Sequence, residues 1–375
     1  MAGKRRRRRA KVERLLLLII REPDRLLQLA VGEQDLALRL TRRARLLGRL
    51  ADSLERLGVL HTLPGVAVDQ LTSAKIMAET RQRVALWELD RIAWAVGNKA
   101  DIPLIAMKGC AYLLLDLPNC RGRVFADVDL MTHERELGRL EARLNEHGWR
   151  TASLTPYDDN YYRKWTHELP PLTHAEREIE VDLHHNVLPR TARLKPDGDK
   201  LMQGSRAVAG SRYRVLADED MVLHAMTHLM FGDDLADKIR ELVDISDLLE
   251  YFSSRDAGFW ERLIERAGEL DLQRPAFYAL RYAHRLLEAR IPEAVLLESK
   301  AWAPPRFMVL LMDRLAPRAL YPQHPDEHSR MTSFARFLLY LRSHWIRMPP
   351  WLLGYHLAYK FLVTRLALGK KLQQP

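Results

Sequence analysis

Phe125-Ala126-Asp127-Val128-Asp129-Leu130-Met131 and, further along, Ile179-Glu180-Val181-Asp182-Leu183-His184-His185 are the two stretches whose reading decides the fold of this 375-residue chain. Both read as strands. Residues two apart on a strand share a face, so Asp127 and Asp129 converge while Val128 and Leu130 turn to the core. Two ionised carboxylates aimed at one spot repel each other unless one is protonated or a cation lies between them. Carboxylates together with phosphate oxygens suit Mg²⁺ or Mn²⁺. A third carboxylate, Asp182, on a neighbouring strand would complete a ligand set for two ions roughly 4 Å apart that clamp an in-line phosphoryl transfer.

Upstream, Pro103 to Met107 reads as a strand that runs into Lys108-Gly109 and then an apolar, helix-like stretch, Cys110 to Leu117. A glycine at such a turn lets backbone N–H groups approach a triphosphate closely, and Lys108 adds a point charge. Arg121 and Arg123, in the loop before the carboxylates, could each reach phosphate oxygens in a bidentate contact. His184 is placed to orient a carboxylate or touch a phosphate. His224 and His228 lie four apart, on one helical face, without the intervening Glu of a His-Glu-x-x-His zinc site, so packing against the site is favoured over metal ligation.

At these residues the chain resembles the DNA polymerase beta-like nucleotidyltransferases, and within them a bacterial family named for its fold and motif. The resemblance rests on Lys108-Gly109, on Asp127-Val128-Asp129 and on Asp182-Leu183-His184-His185, and it spans about residues 80 to 250 with the helix Val84 to Val96 and the pattern His224, His228, Asp237, Asp244. It implies an α+β fold in which a small mixed β-sheet is flanked by N-terminal and C-terminal α-helical regions. It also implies catalytic and metal-binding roles for Asp127, Asp129 and Asp182. Phosphate contacts are implied for Lys108, Gly109, Cys110, Arg121, Arg123 and His184, with a nucleoside triphosphate as substrate and Mg²⁺ or Mn²⁺ as cofactor. Two features depart from the pattern: Cys110 follows Gly109 where the superfamily places Ser or Gly, and the interval from Gly109 to Asp127 is longer than in its smaller members. The acceptor is not implied.

Composition bounds the partners. Hydrophobic residues make up 47% and charged residues 29%, as in a globular protein with a large core. The net charge of +10 is not spread along the chain: residues 1–14 carry +7, residues 331–375 carry +7, and residues 15–330 therefore carry −4. A mildly acidic body argues against a broad basic groove for nucleic acid, and favours a small molecule, peptide or protein as acceptor. Cys110 and Cys120 offer no disulfide framework and fit a reducing cytoplasm. The hexad Leu15 to Ile20 is too short to span a bilayer. Trp351 to Leu368, apolar with His356, Lys360 and Arg365 spaced through it, fits either packing on the body or a peripheral contact with an anionic membrane face.

These patterns divide the chain into a basic, disordered tail at 1–14, a helical region at 15–98, a nucleotidyltransferase core at 99–190, and a helical region at 191–375 that ends in the basic amphipathic helix. Asp218 is the expected N-cap of the first helix after the sheet, and Pro-rich breaks are expected at Ala303 to Pro305 and Pro317 to Pro325. Three other functions stay open at this point. One is a catalytically idle nucleotide-binding scaffold, a second is a membrane-surface or nucleic-acid adaptor working through the basic ends, and the third is a metal-dependent hydrolase built on His224 and His228.

Overall fold

A computed structural model describes residues 2–97, 102–151, 154–232 and 234–354. Its single mixed sheet has seven strands: β1 (Ile105–Ala106), β2 (Asp127–Met131), β3 (Trp149–Thr151), β4 (Leu172–His174), β5 (Glu180–His184), β6 (Arg206–Ala207) and β7 (Arg214–Val215), in the order β3-β4-β5-β2-β1-β7-β6. The central pair, β2 and β5, runs parallel with Asp129 opposite Asp182 and Asp127 opposite Glu180. Alternation then does what the sequence implies: Val128, Leu130, Val181 and Leu183 are fully buried, and the acids share the other face.

Helices flank this sheet on both sides of the sequence. Before it come α1 (Ala2–Arg21), α2 (Val31–Arg43), α3 (Leu47–Arg56) and α4 (Gly65–Val96); within it, α5 (Lys108–Leu114), α6 (Leu137–Glu146), α7 (Pro156–Trp165) and α8 (Gly198–Gly204). After it follow α9 (Asp218–Phe231), α10 (Ile239–Ser253), α11 (Phe259–Glu269), α12 (Gln273–Leu287), α13 (Glu293–Ser299), α14 (Arg306–Leu320) and α15 (Arg330–Arg347). The 32-residue α4 buries Leu71, Ala78, Ala85, Leu89, Ile92 and Val96 along one stripe, and ends at Gly97, whose φ of +73° a side chain would resist. It packs against β2, α5 and α6, while α9, α10 and α12 pack on one another behind α5.

Several expectations change here. The arginine run is not a disordered tail: it forms the first half of α1, because Val12, Leu15, Leu16 and Ile19, at helical spacing, are buried in the core and carry the helix with them. The apolar hexad, too short to span a bilayer, accordingly packs into the core through Leu15, Leu16 and Ile19. Asp218 is the first helical residue rather than the cap, which is Ala217, and its carboxylate accepts from Arg206 at 2.9 Å. Pro317 does not break the chain but sits inside α14. The boundary expected at 98–99 and most of the helix expected over Trp351 to Leu368 lie outside the described residues. No helix among the described residues is long and apolar enough to cross a membrane.

Candidate active site

The site is set by one register. With β2 and β5 parallel, Asp129 and Asp182 stand side by side, and His184 follows Asp182 on the same face. A carboxyl oxygen of Asp129, one of Asp182 and a ring nitrogen of His184 all lie within 4.8 Å of one another. Asp127 shares that face but stays outside the cluster, at the solvent-open end of β2. Asp129 is deeply buried and accepts twice on one oxygen, from Lys108 Nζ at 2.6 Å and from His184 Nε2 at 3.1 Å. An ionised carboxylate can only accept, so Nε2 is the protonated nitrogen of that ring.

One cation thus serves several acids. Burial alone would raise the Asp129 carboxyl, but the charge of Lys108 and the His184 hydrogen bond hold it far below the usual carboxylate range. Burial would likewise lower Lys108, and Asp129 more than offsets it, so the ammonium stays charged. Asp182 has no such partner: burial, then the charge of Asp129, push it up to about 7. Asp127 rises for the same two reasons; it is open to water, yet protein on the remaining sides makes its charge costly.

The β1-to-α5 turn that brings Lys108 here is strained. Lys108 takes φ +45°, a region that residues with a Cβ rarely occupy. Gly109 is required for a different reason from the one its sequence suggests: a Cβ there would stand 2.8 Å from the Phe125 ring, so the glycine answers packing inside the protein. Cys110 is buried, its Sγ 4.0 Å from the Asp127 carbonyl oxygen, and burial pushes its thiol up. Arg123 is also diverted. It is ion-paired with Asp244 of α10 and lies over the rings of Tyr112 and Phe125, so it ties the loop before β2 to the helical region. Arg121 stays half-buried in that loop.

Helix α9 packs against α5 and brings His224 and His228 toward Lys108. Burial, then the Lys108 charge, push both imidazoles below their ordinary value, and His228 Nδ1 lies 3.1 Å from Glu241 Oε2. Neither histidine falls in a cluster of three or more metal-ligating residues among the described residues. Two residues that sequence reasoning missed do fall in one: His167 and Glu168 gather with His184 within 4.8 Å. Being adjacent, they should point to opposite faces of a strand, so no periodicity flags them. The chain at 167–169 instead runs antiparallel along the end of β5, through His185 N to His167 O at 2.9 Å and Leu169 N to Leu183 O at 2.9 Å.

A family described as uncharacterised nucleotidyltransferase matches residues 32–288. No curated protein matches the chain. Among solved structures, JHP933 from Helicobacter pylori is similar at 12% identity over 71% of this chain and 95% of that one, with a TM-score of 0.30, a likeness too distant to carry an argument.

Proposed function

The chain belongs to the family of uncharacterised nucleotidyltransferases, and on that premise we propose that it moves a nucleoside monophosphate from a nucleoside triphosphate to a hydroxyl acceptor, releasing pyrophosphate, with Mg²⁺ or Mn²⁺ bound by Asp127, Asp129 and Asp182. The observation that carries this reading is the Asp129–Asp182 pair. A buried carboxyl, Asp129, and a half-buried one, Asp182, held side by side, with a single lysine ion-paired to Asp129 and the Asp182 pKa displaced upward, fit a site whose missing charge a divalent cation supplies. A bound cation would stabilise the charge that builds on the transferred phosphoryl group.

The chain's own groups take the remaining roles. Lys108 keeps a permanent positive charge at the β1-to-α5 turn, where the phosphates would lie, with Arg121 in the loop beside it. Asp182, beside Asp129 on the open side of the pair, would also be placed to take the proton from the acceptor hydroxyl. His184 holds Asp129 in place by its hydrogen bond. The mildly acidic body favours a small molecule, peptide or protein as acceptor. The arginine run fits a peripheral contact with the anionic inner face of the membrane from the cytoplasm, which co-sedimentation with phosphatidylserine vesicles, before and after Arg5 to Arg8 are replaced by Ser, would test.

Titration calorimetry of the four ribonucleoside triphosphates with Mg²⁺ or Mn²⁺ tests the central claim. Metal-dependent binding by the wild type, lost in the Asp127→Ala, Asp129→Ala double variant, is expected. Binding that ignores metal, or that survives in the double variant, would overturn it.

A further inference from the structure

The carboxylate site does not use His167, Glu168 or the second nitrogen of His184, yet these converge. We infer that His167, Glu168 and His184 form a separate site for a divalent ion of borderline softness, of the Zn²⁺ class, joined to the carboxylate site through the His184 ring. The inference stands whether or not the protein transfers nucleotides.

The argument starts from the His184 ring. It is 2% exposed, and its Nε2–H is spent on Asp129. Nδ1 lies 3.2 Å from Glu168 Oε2 but off the line of a hydrogen bond, so that this buried nitrogen has no hydrogen-bond partner. In a neutral ring Nδ1 presents a lone pair, and here it faces a carboxylate oxygen, which also has only lone pairs to offer. Such a contact needs a positive centre. A proton could bridge these two atoms; the third group argues for a metal ion. His167 Nε2 is 3.9 Å from the same Glu168 oxygen, the two imidazole centroids are 5.4 Å apart, and His167 Nδ1 is buried with no hydrogen-bond partner. Ligands on a tetrahedral ion with bonds of ~2.1 Å sit roughly 3.4 Å apart, which the 3.2 and 3.9 Å separations bracket.

Two imidazoles and one carboxylate are a donor set for Zn²⁺ and its neighbours, whereas Mg²⁺ prefers oxygen alone. The set is also held from outside. The bridge between Glu168 and His184, with the backbone bonds at 167–169, fixes two ligands to the end of β5.

The test uses the full chain, stripped with chelator and free of nucleotide. Zn²⁺ uptake is measured by calorimetry and Co²⁺ uptake by visible absorption, in the wild type, His167→Asn, Glu168→Gln and Asp127→Asn. One tight equivalent of each ion is expected in the wild type, its affinity at least tenfold weaker in His167→Asn and Glu168→Gln and within about threefold of wild type in Asp127→Asn, where only a weaker second equivalent at the carboxylate site is lost. If His167→Asn does not fold, Glu168→Gln and the wild-type Co²⁺ spectrum still decide. No Co²⁺ or Zn²⁺ uptake by the wild type, or equal uptake by the variants, overturns the site; in the latter case a protonated His184 bridges Asp129 and Glu168. Mg²⁺-dependent nucleotide binding without Co²⁺ uptake would sink this inference alone, and the reverse would sink the transfer reading alone.

Discussion

Four carboxylates off the sheet each have a guanidinium of their own, while on the sheet Asp129 and Asp182 draw on one lysine. Asp244 pairs with Arg123, Asp247 with Arg49, Asp220 with Arg266, and Glu88 with Arg177. On the sheet, Asp129 holds Lys108 and Asp182 is left to compete for the same positive field. A buried charge without a partner is expensive, and the helices show that this chain can supply partners. The shortage on the sheet therefore marks a place built to receive positive charge, and strain at Lys108 in the same turn fits that reading. Stability and function are separated in space: neutralised pairs pin α3, the loop before β2 and α10 together, and the uncompensated acids sit on the strands those pairs position.

The sharpest way to break this contrast is Asp129→Asn. Turnover of nucleoside triphosphate should fall by about 10³-fold, or about 4 kcal/mol, in a steady-state assay with Mn²⁺ present. A loss of less than tenfold would mean that the shared face is not the reacting centre. Next comes Arg123→Met, which strands Asp244 in the interior and should cost about 3 kcal/mol of stability, read from the urea midpoint. Adding Asp244→Leu to it should restore most of that loss, because a well-packed apolar pair can replace a buried ion pair. Divalent ions should leave both measurements unchanged.

Asp182→Asn probes the other side and predicts the opposite sign. The folded-state pKa of Asp182 lies above its ordinary value, so the stability it lends is complete below about pH 4 and is lost as pH rises toward about 7. Asn cannot ionise. In chelator, the wild type should lose stability between pH 4 and 7, and the variant should lose less, ending more stable by on the order of 1 kcal/mol at pH 7. Parallel unfolding curves across that range would show that Asp182 is already compensated, and the contrast between sheet and helices would fail there.

How much of this was legible beforehand depends on the range of each interaction. Asp127, Asp129, Val128 and Leu130 could be sorted by period alone, and Asp182 by the same rule within its own strand. That Asp129 would stand opposite Asp182, rather than one step off, is a pairing register between distant segments, which no local pattern encodes. Arg123 read as a phosphate ligand because its partner, Asp244, is 121 residues away. Gly109 has a second reason to be glycine that its sequence context does not carry: Phe125 fills the space a Cβ would need. The arginine run looked like a tail because charge was weighed without the buried stripe Val12, Leu15, Leu16 and Ile19 that follows it.

The mildest test asks whether redundancy is what the helical side has and the sheet lacks. Glu88, fully buried on α4, accepts from Trp149 Nε1 at 2.7 Å and from Arg177 Nε at 2.6 Å, and Arg177 in turn lies 4.6 Å from the Trp149 ring. Removing the indole N–H with Trp149→Phe leaves the carboxylate still paired, so the loss should stay near or below about 1 kcal/mol, part of it from the smaller ring. Glu88→Gln should cost more, since it leaves the Arg177 guanidinium, only 13% exposed, without its counterion. Equal losses, measured as thermal midpoints at one pH, would mean that ring packing alone matters here. The unequal loss predicted would show that the helical regions keep a spare partner for a buried charge, and that the sheet, where Asp129 and Asp182 share Lys108, does not.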